Sequence, residues 1–145
     1  EFDGLFAGDL SSYSILVYAD IIKNIYILYY KYRSFYYDLL MLLDRDEELE
    51  KMYRENYRTK NEKLTALTLL LEEKGILKKF NSDAERKCYL ENLWIISDYR
   101  LTFLRAAGET DPERIIENGV RSYFMFMKPY FTGESSMEME DILGI

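Results

Sequence analysis

Apolar residues recur along the chain with the spacing of amphipathic helices. The first stripe covers residues 12–32 and is rich in Ile and Tyr, so a strand is the alternative interpretation. Its length favours a helix, because strands rarely exceed about ten residues. A break at Arg33 and Ser34 follows, and the apolar segment at 35–43 predicts a second, shorter helix.

Cap residues delimit three more helices. Asp44 opens a capping-box pattern that predicts the start of a long helix, which Gly75 is expected to end. Ser82 repeats the pattern, and the helix that follows is predicted to stop at Gly108. An Asp-Pro pair at 111–112 predicts the start of the last helix, which closes near residue 130.

The composition agrees with an all-α fold. The chain has 145 residues, which indicates one domain, and 48% of them are hydrophobic, which is enough for a sizeable core. Only 7 Gly and 2 Pro are present, too few for the many tight turns of a β-sandwich or a barrel. We therefore predict a single multi-helix domain over residues 1–132.

The remaining segment, 133–145, contains four carboxylates and no basic residue, so we expect an acidic flexible tail. The whole chain carries a formal charge of −7. This charge argues against a broad phosphate-binding surface, because affinity for nucleic acids depends largely on Lys and Arg.

The sequence contains no recognisable set of residues for catalysis or metal binding. It contains no His, which excludes imidazole catalysis and His-ligated zinc. Cys88 is the single cysteine, and its position on a helix expected to be buried indicates packing. The carboxylates cluster at helix starts and in the tail, where capping and solvation explain them. We expect no enzyme activity, no catalytic residues, no metal and no cofactor.

No apolar run reaches the roughly 18 residues that a membrane helix needs, because Asp20, Lys23 and Asn24 interrupt the most apolar stretch. The N-terminal residues lack the pattern of a secretory signal, so we expect a cytoplasmic protein without a membrane partner. The start at Glu1 also indicates a fragment of a longer protein.

A cluster of tyrosines surrounds Lys31 and Arg33. Core packing is one interpretation, since Tyr buries area while keeping a polar hydroxyl. A ligand cavity lined by aromatic residues is another, with Arg33 and Asp98 as its polar anchors. Stacking on single-stranded nucleic acid is a third, which the acidic composition disfavours. The cluster consists of Tyr26, Tyr29, Tyr30, Tyr32, Tyr36 and Tyr37.

Several passages share their order and spacing with a known family of helical proteins. They are YRSFYYDLLMLLDRD at 32–46, LEEKGIL at 71–77, LWIISDY at 93–99, GVR at 119–121 and KPYFT at 128–132. Together they resemble the C-terminal ligand-binding and dimerisation domain of TetR/AcrR-type transcriptional regulators. The resemblance covers roughly residues 12–132.

The resemblance implies a homodimer in which the last two long helices form a four-helix bundle with those of the partner. It implies a small apolar or aromatic effector bound between the helices. It also implies an N-terminal helix-turn-helix unit that binds operator DNA. No passage here resembles that unit, so DNA contact is expected only through a domain missing from this chain. The alternatives are a stand-alone helical interaction module without a ligand and a helical enzyme without a recognised motif.

The resemblance and the composition together give two sets of candidate residues. The ligand-binding candidates face the space between the first helix, the long helix and the helix that bears Trp94. They are Tyr29, Arg33, Tyr53, Tyr57, Trp94, Asp98 and Tyr99. The dimer candidates lie on the last two long helices, the first of which is apolar on two sides and needs a second partner. They are Ile96, Phe103, Val120, Tyr123, Phe124 and Met127.

Overall fold

The computed structural model describes residues 14–144 and folds them into seven α-helices. No helix of this described part is long and apolar enough to cross a membrane. Extended backbone pairs there only in an isolated bridge between Leu77 and Phe131, so the predicted all-α fold is confirmed. The helices are α1 (Ile15–Lys31), α2 (Arg33–Tyr37), α3 (Leu39–Arg45), α4 (Glu47–Glu73), α5 (Asp83–Ala106), α6 (Pro112–Met127) and α7 (Gly133–Leu143), with a short 3-10 turn at Lys128–Tyr130.

Most predicted helix boundaries are confirmed by the geometry of the caps. Ser82 accepts a hydrogen bond from the backbone N–H three residues later, at 3.1 Å, and α5 begins after it. Asp111 caps α6 in the same way, with Pro112 in the first turn. Gly75 and Gly108 follow α4 and α5 with φ values of 71° and 86°, a left-handed conformation that favours glycine.

The region before α4 differs from the prediction. Asp46, and not Asp44, has extended backbone and accepts a hydrogen bond from the N–H of Leu49 at 3.0 Å. Asp44 lies inside α3. The predicted helix at 35–43 is two short helices, because the backbone leaves helical geometry at Asp38. The side chains of Asp44 and Asp46 are both able to cap a helix, and their spacing in the sequence does not show which of them does so.

The core is built around α1, which packs against α2, α5, α6 and α7. Eight of its residues are buried. Tyr26 is completely buried, and its ring lies against Gly119 of α6. Because glycine has no Cβ, α1 and α6 can approach each other closely at this point. One helix therefore organises the interior.

The connection between α4 and α5 is held by an ion pair and by the segment that follows α6. Arg86 of α5 pairs with Glu72 of α4 at 2.9 Å, and both side chains are largely buried. Thr132 donates its N–H to the carbonyl of Ile76 at 3.0 Å and its hydroxyl to the carbonyl of Gly75 at 2.8 Å. These contacts fix the end of α4 relative to the start of α5.

The acidic C-terminal segment is helical where a flexible tail was expected. Gly133–Leu143 forms α7, which packs against α1. Ser135 and Met139 are buried, whereas Glu134 and Glu138 are exposed. The expectation was based on charge and overlooked the less polar residues, spaced four apart, that form one face of this helix.

Cys88 was expected to be buried, and it is exposed. The next two residues, Tyr89 and Leu90, are the ones that α5 buries. A helix turns by about 100° per residue, so adjacent positions can lie on different faces.

We expect Gly119→Ala to destabilise the fold. A Cβ at this position would lie 2.3 Å from the nearest ring carbon of Tyr26, so the ring would have to shift. Overpacking of this kind costs about 1–3 kcal/mol, whereas Ala gains roughly 1 kcal/mol over Gly as a helix former. Because the ring of Tyr26 is completely buried and has little room to shift, urea unfolding should show a net loss of stability of up to about 2 kcal/mol.

Gly133→Ala is the matched control. A Cβ built at Gly133 meets nothing within 4 Å, so this variant should be as stable as the wild type or slightly more stable. An unchanged or increased free energy of unfolding for Gly119→Ala would contradict the close approach of α1 and α6.

Candidate ligand-binding site

A cavity of about 240 Å³ lies between α1, α4 and α5, with one side chain contributed by α6. Its wall on α1 is a single face of the helix, because the lining residues recur at intervals of three and four. They are Tyr18, Ile22, Ile25, Tyr26 and Tyr29.

The opposite wall is formed by α4 and α5. Leu64 and Leu67 of α4 and Trp94 of α5 make it predominantly apolar. Lys60 and Lys63 also line the cavity from α4, where Lys60 is half-buried and Lys63 is exposed. The cavity therefore opens toward solvent beside the middle of α4 and has an apolar interior.

A buried polar network lies behind the cavity. Asp98 of α5 is only 3% exposed, and its carboxylate accepts hydrogen bonds from the hydroxyls of Tyr29 at 3.1 Å and Tyr53 at 2.5 Å. The indole N–H of Trp94 donates to the Tyr53 hydroxyl at 3.3 Å. Since Tyr29 belongs to α1 and Tyr53 to α4, the network joins the three helices that enclose the cavity.

Burial dominates the protonation of this network. It raises the pKa of Asp98, against the opposing effects of the hydrogen bonds from Tyr53 and Tyr29 and of the positive charge of Lys60. Burial and the negative charge of Asp98 raise the pKa of Tyr29 and of Tyr53. Both tyrosines are therefore protonated at neutral pH and act as donors.

The other tyrosine hydroxyls of the cavity wall also have protein partners. Tyr18 and Tyr123 share a hydrogen bond of 2.8 Å between their hydroxyls, and Tyr26 donates to the carbonyl of Ile96 at 3.4 Å. These bonds link α1 to α6 and to α5. The rings, and not the polar hydroxyl groups, therefore form most of the surface that faces the cavity.

A second hollow, of about 300 Å³, lies on the other side of Trp94. It is lined by Tyr36 of α2, Tyr53 of α4 and Asp98 of α5, among others. Tyr57 packs edge-on against Trp94, with ring centroids 4.6 Å apart. Trp94 and Lys60 line both this hollow and the cavity, so they lie between the two spaces.

Five of the candidate ligand-binding residues lie together in this region. Tyr29 and Trp94 line the cavity, whereas Tyr53 and Asp98 lie in the network behind it and line the second hollow. Tyr57 contacts Trp94 without lining either space.

Arg33 and Tyr99 are not placed as expected. Arg33 is exposed, with its guanidinium 4.6 Å from the ring centre of Tyr30 and donating to the Tyr30 carbonyl at 3.1 Å. The α1 helix ends at Lys31, and Arg33 is the first residue of α2. Tyr99 is half-buried and lines neither space. Neither residue is a wall or an anchor of the cavity.

Three of the dimer candidates are buried within the chain itself. Tyr123, Phe124 and Met127 lie on the face of α6 that packs against α1, and the rings of Tyr18 and Phe124 are 5.9 Å apart. Their apolar character serves the core, so they are unavailable to a partner. The remaining candidates are partly or largely accessible: Ile96, Phe103 and Val120.

Most of the residues of α1 and α4 that line the cavity were not among the candidates from the sequence. Ile22 and Ile25 could have been identified, because they lie on the apolar stripe of α1. Lys60 and Lys63 could not, since lysines on a long amphipathic helix are ordinarily assigned to its solvated face.

We expect the contribution of Asp98 to stability to increase at lower pH. Its pKa is raised in the folded chain, so the folded state binds a proton more readily than the unfolded state as the pH falls. The free energy of unfolding of the wild type, measured relative to that of Asp98→Asn, should therefore increase as the pH is lowered from about 7 toward 4.

Urea unfolding of both proteins at each pH measures this difference, and the subtraction removes the titration of the other carboxylates. If the relative free energy instead decreased with falling pH, hydrogen bonding and Lys60 would outweigh burial at Asp98.

Comparison with known families identifies the fold that holds this site. The family model described as TetR, a bacterial transcriptional repressor, matches residues 7–139. Comparison with curated proteins gave no match, and comparison with solved structures gave none either. The family match includes α1 to α6 and most of α7, and hence every residue that lines the cavity. The chain belongs to the TetR family of bacterial transcriptional repressors.

Proposed function

We propose that this chain is the effector-sensing and dimerisation domain of a transcriptional regulator. The observation that carries the proposal is the apolar cavity between α1, α4 and α5 in a member of a repressor family. Small-molecule sites are concave and mostly apolar, with a few placed polar groups. Membership of this family points to regulation and not to catalysis.

A ligand in the cavity would contact α1, α4 and α5 at once. The Asp98 network joins the same three helices, so the ligand would act where their relative positions are set. It can shift an equilibrium between two arrangements only by its differential affinity for them. In this proposal the shift changes the operator affinity of a helix-turn-helix unit that lies outside residues 1–145.

We further propose a homodimer through the outer face of α5, together with α6. Ile95 and Phe103 lie two turns apart on α5 and are 54% and 58% exposed. Ile96 and Val120 are half-buried beside them along the two helices. Stable homodimer interfaces bury about 2,000 Å² or more and are rich in apolar side chains. A second copy placed on this face would complete a four-helix bundle.

A stand-alone interaction module is the second candidate function. The exposed side chains of Ile95 and Phe103 favour it equally, because a different protein could cover them. Such a module is not expected to bind a small molecule in the cavity, so a binding measurement distinguishes the two functions.

Ligand binding can be followed through Trp94, the single tryptophan of the chain and a residue of the cavity wall. We expect at least one compound in a library of small aromatic and acyl molecules to change its fluorescence and to raise the melting temperature. Ile22→Phe, which enlarges a side chain of the wall, should weaken that binding about tenfold or more.

Ile27→Phe is the control, because Ile27 is on the exposed face of the same helix and should leave the affinity unchanged. If no compound in a broad library affected the fluorescence or the melting temperature of the wild type, the interaction module would replace the sensor.

Phe103→Asp should break the proposed dimer and leave the fold intact, since this side chain is exposed in the single chain. Light scattering should give twice the 17.4 kDa chain mass for the wild type and the chain mass for the variant. Tyr123→Asp is the contrasting variant, because a charge introduced at this buried position should unfold the chain. A wild type that scatters as a 17.4 kDa monomer at micromolar concentration would overturn the dimer.

A further inference from the structure

We infer that the cavity and the second hollow are two parts of one elongated ligand site, in which the cavity holds the apolar body of an uncharged molecule and Asp98 accepts a hydrogen bond from its hydroxyl head. The inference rests on the proposed function, since it requires that the cavity binds a small molecule. It adds the length, the charge and the orientation of that molecule.

Two side chains lie between the spaces. Trp94 of α5 and Lys60 of α4 are half-buried and line both of them. The indole N–H of Trp94 donates to the Tyr53 hydroxyl at 3.3 Å, which is longer than the usual range of about 2.7–3.2 Å. Side chains change between rotamers without a shift of the helix axes. A rotation of Trp94 or Lys60 would therefore join the cavity to the hollow.

The cavity selects the apolar part of the ligand. The tyrosines that line it use their hydroxyls in hydrogen bonds to protein atoms, and isoleucines and leucines form much of the remaining wall. A polar group placed deep in this space would lose its hydrogen bonds to water without replacement, at an unfavourable free energy. The hydroxyl head of the ligand is therefore expected outside the cavity.

The hollow supplies a hydrogen-bond acceptor for that head. Asp98 is only 3% exposed, and it lines the hollow. Its carboxylate accepts hydrogen bonds from Tyr29 and Tyr53, and a carboxylate has about four lone-pair sites for donors. A hydroxyl group in the hollow can therefore add a further hydrogen bond. Hydrogen bonds to an ionised acceptor are stronger than those between neutral groups.

The hollow contains charges of both signs, which favours an uncharged ligand. Lys60 lines it together with Asp98, and its ammonium group lies 5.7 Å from the centre of the Trp94 ring. Burial raises the pKa of Asp98, and the positive charge of Lys60 opposes this effect. A cation attracted by Asp98 would be repelled by Lys60, and an anion attracted by Lys60 would be repelled by Asp98. Neither ion would recover the free energy lost on leaving water.

The volumes of the two spaces set the length of the ligand. An apolar cavity of about 150 Å³ binds benzene, so the cavity of about 240 Å³ has room for about ten carbon atoms. A longer chain has to extend into the hollow, which adds about 300 Å³ and opens to solvent beside exposed Met52. 1-Dodecanol is therefore long enough to occupy both spaces, whereas 1-octanol fits in the cavity alone.

The test is calorimetric titration of the 145-residue chain with probes of equal chain length. They are 1-dodecanol, dodecyl methyl ether, which lacks the hydrogen-bond donor, dodecylammonium and dodecanoate. We expect dodecanol to bind at least about tenfold more tightly than each of the other three. It should also bind at least about tenfold more tightly than octanol, because each further buried methylene group adds affinity.

Variants of the hollow separate it from the cavity. Leu49→Phe enlarges a side chain of the hollow and should weaken dodecanol binding at least about tenfold while octanol binding stays the same. Leu69→Phe, the same substitution at an exposed α4 residue outside both linings, is the matched control and should change neither affinity. Asp98→Asn should reduce the preference for dodecanol over the ether, because an uncharged amide is a weaker acceptor than a carboxylate.

Nuclear Overhauser contacts between dodecanol and the wild type test the orientation. The terminal methyl group of dodecanol should contact Ile22 in the cavity, and its hydroxymethyl protons should contact the methyl group of Met52 in the hollow. The reverse pattern would overturn the inference.

The comparison of probes on the wild type decides the matter even if a variant fails to fold. If the ether or either charged probe bound the wild type as tightly as dodecanol, or if folded Leu49→Phe kept its dodecanol affinity, the elongated site would be wrong while the cavity stood as a ligand site. If neither octanol nor any of the dodecyl probes bound the wild type, both this inference and the proposed cavity function would be overturned.

Discussion

The structure depends on where the tyrosine hydroxyls of α1 find hydrogen-bond partners. A buried hydroxyl without a partner is unfavourable, so a helix with Tyr18, Tyr26 and Tyr29 on its inner faces needs acceptors on its neighbours. The hydroxyl of Tyr18 forms a hydrogen bond with α6, and the hydroxyls of Tyr26 and Tyr29 donate hydrogen bonds to α5. These three bonds orient α5 and α6 around α1, and the ring of Tyr26 against Gly119 sets the closest approach.

The same arrangement explains why a cavity is left and why its interior is apolar. The α1 hydroxyls point to α5 and α6, and α4 faces the tyrosine rings and isoleucines that remain. The polar contacts of α4 with α5 lie toward its ends, through Glu72 with Arg86 and through Tyr53 with Asp98, and Tyr57 packs against Trp94. The middle of α4 therefore spans the cavity without filling it, and its lysines lie at the entrance.

The fold was predictable from the sequence because its signals are local. Caps such as Ser82 and Asp111 and helix ends such as Gly108 are fixed by short-range backbone chemistry. The cavity was predicted only in outline, since Tyr29 and Trp94 are in its wall but Arg33 turns outward. Apolar side chains on α6 were assigned to a partner although they pack on α1. The choice between a core face and an interface face depends on tertiary packing, which periodicity does not encode.

The central claim is that the space between α1, α4 and α5 accepts an apolar molecule. Methyl NMR of isoleucine-labelled protein during a titration with decanol, an uncharged straight-chain alcohol, tests it most directly. The methyl groups of Ile22 and Ile25, which line the cavity, should shift and show nuclear Overhauser contacts with the decanol chain, while those of exposed Ile95 should not. Contacts at Ile95 with unchanged Ile22 and Ile25 would place the molecule on the surface of α5 and contradict the claim.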